Sequence, residues 1–152
     1  MKKIFLLLLA SILVVGCASK TPANKTVNLT ELKTTIHEKT EWPMMMEVDP
    51  ETLAQVYYLD QELYNQAVVE ASAVSVHASE LIMIEAKDGK IADVKQAIDK
   101  RLEDAKQTWS RYLPEQYDLV LAAQTVESGN YLFVVIHPEA EAIVEIINTA
   151  IK

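Results

Sequence analysis

One cysteine, three glycines and two arginines are all that this 152-residue chain holds of those types. A single thiol has no internal disulfide partner, so the chain is not a disulfide-stapled scaffold. So little glycine, with only five prolines, argues against long disordered tracts. Positive charge is also short. Lys and Arg number 14 against 22 Asp and Glu, a formal charge of −8, and such a surface repels phosphate backbones and anionic headgroups alike. Nucleic-acid binding is therefore not expected, nor is a domain lying flat on a membrane. There is no glycine-rich phosphate loop and no serine in a nucleophile-elbow sequence, and no cofactor is expected.

The apolar residues that are present fall into two regimes. Lys2 and Lys3 precede a twelve-residue apolar run over residues 4–15. As a helix it would cover about 18 Å, against roughly 30 Å of bilayer hydrocarbon, which is too short for a stable span. A basic start, a short apolar stretch and small residues are the layout of a secretory signal peptide. The sequence Val14-Val15-Gly16-Cys17 resembles the bacterial lipobox. That resemblance implies diacylglycerol on the Cys17 thiol, cleavage between Gly16 and Cys17, and acylation of the new amino terminus. One acyl chain anchors only marginally, whereas two or three anchor firmly. An ordinary signal peptide with a coincidental Cys17 is the simpler alternative. The expected divisions are a signal peptide over 1–16, a lipidated Cys and polar tether over 17–27, and one domain over 28–152. Cleavage would remove Lys2 and Lys3 and leave 12 basic against 22 acidic residues, a charge of −10.

Within the domain, Leu29, Leu32 and Ile36 recur at helical spacing up to about residue 40. Asp49-Pro50-Glu51 combines a side-chain cap, a proline at the first helical position and an acid in the first turn, which predicts a helix over 50–57. Residues 66–74 and 80–87 read as a hairpin, and a long helix follows from 90 to about 112, ended by Pro114. Its apolar stripe runs through Ile91, Val94, Ile98, Leu102, Ala105, Trp109 and Tyr112, leaving Arg101 and Arg111 off it. The pattern then repeats, with strands over 116–126 and 130–137 and a helix opened by Pro138-Glu139. The expected fold is α+β: two ββα units forming one antiparallel four-stranded sheet with packed helices, preceded by short N-terminal helices.

Several residues of this domain, among them Met46, Asp49, Leu53 and Tyr57, then Glu80, Leu81, Met83 and Lys87, then Val94, Ile98 and Arg101, Tyr112-Leu113-Pro114 and Gly129-Asn130-Tyr131, together resemble a family of small bacterial lipoproteins. It is catalogued as a domain of unknown function, number four-three-five-eight, of low-GC Gram-positive bacteria, and the resemblance spans roughly residues 44–147. It implies an outer-leaflet location and brings no activity with it.

For each chemically suggestive residue a plainer role competes. His37, His77 and His137 are spread over a helix, a hairpin and a strand end, and His37-Glu38-Lys39-Thr40-Glu41 puts Glu41 where a zinc-protease motif needs its second histidine. Glu47, Asp49 and Glu51 alternate like calcium-loop ligands, but Pro50 stiffens the middle and Thr52 stands where glycine is needed, so helix capping explains them better. Trp42, Met44, Met45, Met46, Tyr57 and Tyr58 form an apolar, aromatic-rich stretch that could rim a binding groove, or more simply plug one end of the sheet. Arg101 could hold a ligand carboxylate, with a salt bridge as the plainer use. The leading expectation is a non-catalytic envelope lipoprotein, held to the membrane by its N-terminal lipid and binding an unknown envelope protein or ligand. Its rivals are a small cell-envelope hydrolase or metal-dependent enzyme, and a structural subunit of a membrane complex.

Overall fold

The computed structural model describes residues 26–152. The signal segment, Cys17 and the expected tether up to residue 25 lie outside the described residues. In chain order the elements are α1 (Leu29–Lys39), β1 (Met45–Glu47), α2 (Pro50–Val56), β2 (Tyr64–Ser72), β3 (Glu80–Ala86), α3 (Ile91–Trp109), α4 (Pro114–Leu121), β4 (Gln124–Ser128), β5 (Tyr131–Ile136) and α5 (Ala140–Ala150). The strands form one antiparallel sheet in the order β1-β2-β3-β5-β4. The α+β class holds. No helix among the described residues is long and apolar enough to cross a membrane.

Three expectations are corrected. The sheet has five strands rather than four, because Met45–Glu47 pairs with β2 through Met45↔Ser72 and Glu47↔Glu70. A three-residue strand is too short to show a period of two. Pro114 does not merely end the long helix: it is the first-turn proline of α4, since its fixed φ suits a helix start as well as a stop. The strand expected over 116–126 accordingly shrinks to Gln124–Ser128. Finally, Val27 belongs to the domain rather than to the tether. It is buried, its N–H donates to the Tyr131 hydroxyl at 3.1 Å, and its carbonyl accepts from the Gln66 carboxamide at 3.4 Å.

The order strand-strand-helix does occur twice, as β2-β3-α3 and β4-β5-α5, but α4 separates the two and their helices cover opposite faces. Leu81, Met83, Phe133 and Val135 point at α1 and α5, packing on Leu29, Leu32, Ile36, Ile143 and Ile147. The alternate residues Ile82, Ile84, Leu132 and Val134 point at α2 and α3, packing on Leu53, Tyr57, Val94 and Ile98. A sheet clad on both sides needs apolar residues at every position of its central strands, not at alternate ones. That is why β5 is the unbroken run Tyr131–Ile136, buried throughout.

The helix starts follow from local chemistry. Asn28 accepts from the Thr30 and Glu31 N–H groups, and Asp49 from those of Glu51 and Thr52. The Thr52 backbone N–H, with the Thr52 hydroxyl, holds the Asp49 carboxyl below its usual range. Before α3 the chain turns through Gly89 with φ 76°, and between β4 and β5 through Gly129 with φ 59°. These left-handed positions suit a residue without Cβ.

Candidate functional site

Helix α3 lays Val94, Ala97, Ile98 and Ala105 against the sheet. At 100° per residue, position 101 falls in the middle of that buried face, between 98 and 105. Arg101 is therefore on the apolar stripe, not off it, and its side chain is 16 % exposed. The reason lies across the sheet. Glu80 opens β3 on the face it shares with Ile82 and Ile84, and its side chain is 6 % exposed. The Arg101 guanidinium donates from Nη2 to Glu80 Oε1 and stands over the Tyr57 ring, 4.8 Å from its centroid. The Tyr57 hydroxyl, at the end of α2, donates to Glu80 Oε2 at 3.3 Å.

Three elements thus meet at one carboxylate. Burial pushes the Glu80 carboxyl up, against the opposing pull of the Arg101 charge. Burial likewise raises the Tyr57 phenol, which stays protonated as a donor. For Arg101 burial works against the charge, and the combined interactions with Glu80 and Tyr57 outweigh it. Both Glu80 oxygens are engaged, so the carboxylate is held rather than free to react. Arg101 is not fully used: its buried Nε–H reaches no acceptor.

Above this pair opens a cleft of about 240 Å³ between the β2-β3 connection and the C-terminal half of α3. Glu80 and Arg101 line it together with Ser72, Val74, His77, Ser79, Thr108 and Trp109. The Ala78 N–H donates to the Gln116 side chain of α4 at 2.8 Å, which pins the connection in place.

Only part of the expected surface comes together here. Tyr57 and Arg101 meet, with Tyr57 inside the core rather than on a rim. Met46 pairs with Ala71 on the edge strand and stays 60 % exposed, and Met44 is 73 % exposed. Tyr58 is drawn to α3, where its hydroxyl donates to Asp104 at 2.6 Å and Lys100 sits over its ring. Met45 alternates to the other face of β1. Trp42 lies on that other side of the sheet, between His37 and His137, with centroid distances of 5.3 and 4.1 Å and ring planes tilted by 40° and 34°. Glu80 was missed by sequence reading, although a charged residue opening the run Leu81-Ile82-Met83-Ile84 was a visible anomaly.

The acids and histidines go separate ways. Glu47 pairs with Lys33 at 2.9 Å, and Asp49 caps α2. Glu70, buried on β2, takes His37 at 2.6 Å and Lys33 at 3.8 Å. Among the described residues no group of three His, Cys, Asp or Glu could hold a metal ion. His137 accepts from the Glu139 N–H at Nδ1 and donates from Nε2 to the Glu41 carbonyl. Those two bonds fix a neutral tautomer, and burial lowers its pKa from the ordinary 6.5. Its contribution to stability is therefore complete above pH 6.5 and is lost as the pH falls below it, because the unfolded chain takes up the proton first. In urea unfolding at pH 7.5 and 5.5, His137→Asn is expected to show a smaller loss of stability on acidification than the parent chain.

The comparison with family models matches residues 38–137 to one family, "Domain of unknown function (DUF4358)". The chain belongs to this family. The match takes in all five strands, α2 to α4 and every residue of the cleft, and stops at His137, so α5 and most of α1 lie outside it. In the DUF4358 span of this chain, then, the Glu80–Arg101–Tyr57 cluster is internal, while the helices covering the opposite sheet face are largely beyond the match. Neither the comparison with curated proteins nor that with solved structures returns a match.

Proposed function

We propose that this protein is a lipoprotein anchored on the extracytoplasmic face of the cell membrane, and that its domain is a non-catalytic binding module working through the cleft over Glu80 and Arg101. The cleft carries the binding reading: it is a walled recess beside a guanidinium with unused donor capacity, whereas the one buried carboxylate there already has both oxygens engaged. Val14-Val15-Gly16-Cys17 supports the anchor. With Val27 fastened to Tyr131, only nine residues stand between it and Cys17, a length of chain that spans at most about 35 Å. The domain would stay near the bilayer, and its acidic charge would keep it off an anionic surface.

Mass spectrometry of the protein extracted from membranes tests the anchor. The expected amino terminus is Cys17 bearing a diacylglycerol and an amide-linked acyl chain. Cys17→Ser is expected to abolish lipid incorporation and leave the signal segment attached. An intact chain in the cytosol, or Cys17 with a bare thiol, would refute the reading. A hydrolytic role would instead rest on Glu80, whose raised pKa is a property of general acids. Hydrolysis of a cell-wall or ester substrate that Glu80→Gln abolishes without unfolding the chain would establish that rival.

A further inference from the structure

We propose that the cleft takes the terminal carboxylate of a peptide chain, bound by the guanidinium donors of Arg101 that Glu80 leaves free. The inference rests on the reading of the cleft as the binding site and names what enters it. Arginine carries five N–H donors in a planar fork with more than one edge able to meet a carboxylate. Glu80 Oε1 takes a single bond from Nη2, and Arg101 lines the cleft; with Nε–H enclosed, the terminal guanidinium nitrogens are the donors that meet the ligand.

Size narrows the ligand. At about 240 Å³ the cleft lies below the roughly 300–1,000 Å³ of pockets that enclose whole small molecules. It suits the end of a chain that continues outside. Its walls match a final residue: Val74 and Trp109 supply apolar surface, and Ser79 and Thr108 bring hydroxyls. Trp109 leads outward to Tyr112, their rings 5.9 Å apart, and Tyr112 is 58 % exposed. An aromatic path of this kind can carry the preceding residues. The acidity of the whole domain opposes an anion at long range but is screened beyond about 8–10 Å, while charge-assisted bonds inside a recess are not.

The test uses the protein purified from membranes in detergent, titrated with the tripeptide Ala-Ala-Val as the free acid, the same peptide amidated, an amidated tripeptide ending in Glu, and acetate. The Arg101 Nε–H resonance and calorimetry are the readouts. The free acid is expected to shift that resonance and to bind at least about tenfold more tightly than the amide. Thr108→Phe, at an exposed position on the wall, is expected to weaken binding at least about tenfold with an unchanged unfolding midpoint. Arg101→Lys, which keeps the charge without the fork, is expected to bind more weakly too. Equal affinity for acid and amide, or binding untouched by Thr108→Phe, overturns the inference. Equal binding of the amidated Glu peptide overturns the assignment to a chain end. Silence of every carboxylate probe on a chain whose Cys17 is lipidated overturns this inference alone and leaves the lipoprotein reading in place.

Discussion

Arg101→Met is expected to lower the unfolding free energy by about 3–5 kcal/mol, the range for removing one partner of a buried ion pair. In a domain of this size that is a fall in Tm of roughly 10–20 °C. The methionine fills similar space, so the loss comes from Glu80, which would remain enclosed between β3, α2 and α3 with only the Tyr57 hydroxyl for company. The sign with pH follows from the same charge. Burial already raises the Glu80 pKa, and removing the guanidinium raises it further. The folded chain then binds more protons than the unfolded one above the ordinary carboxylate range, so stability falls as the pH rises through that window. The deficit should be smaller at pH 5 than at pH 8. Replacing both partners, Glu80→Leu with Arg101→Leu, should recover most of it, since an apolar pair of similar volume is often neutral or stabilising. Urea unfolding of the three variants decides the matter. A double variant as unstable as Arg101→Met would show that the unpaired carboxylate is not the cause.

Leu132→Ala and Phe133→Ala are each expected to cost several kcal/mol, about 2–5 for the leucine and about 3–5 for the phenylalanine. The two are neighbours in β5 and face opposite ways: Leu132 packs with Val94 and Ile98 of α3, Phe133 with Ile143 and Ile147 of α5. In a sheet with one wet face, one of two consecutive residues would be nearly free to change. Here both are fully buried. Thermal unfolding of the two single variants checks this. If either cost less than about 1 kcal/mol, the corresponding helical layer would not be covering the strand.

Local chemistry was readable wherever a few adjacent residues decide it. Asp49-Pro50-Glu51 specifies the start of α2 through a cap and a proline, and the structure shows the cap in place. The break between the strand expected over 80–87 and the helix expected from 90 falls at Gly89, where the chain turns through a left-handed position. The candidate site was only half readable. Tyr57 and Arg101 stood out as residue types, but the helical stripe drawn through Leu102 excluded Arg101 from the buried face. Periodicity assigns a charged side chain to solvent by default, and only a partner from another element reverses that assignment. Trp42 and Met44 to Met46 read as one surface because they are close in sequence. An extended segment sends alternate side chains to opposite faces, so contiguity did not make a patch.

The sequence by itself determined the α+β class, the two strand hairpins, the starts of α2, α3 and α5 and the membership of the DUF4358 family, because these depend on residues within a turn or two of one another or on a pattern spread along the chain. Tertiary structure alone decided that the sheet has a fifth edge strand, that α3 and α5 cover opposite faces, and that Glu80, Tyr57 and Arg101 share one enclosure. Those outcomes depend on which distant groups meet. A buried charge is tolerable only where its counter-charge arrives from elsewhere in the fold.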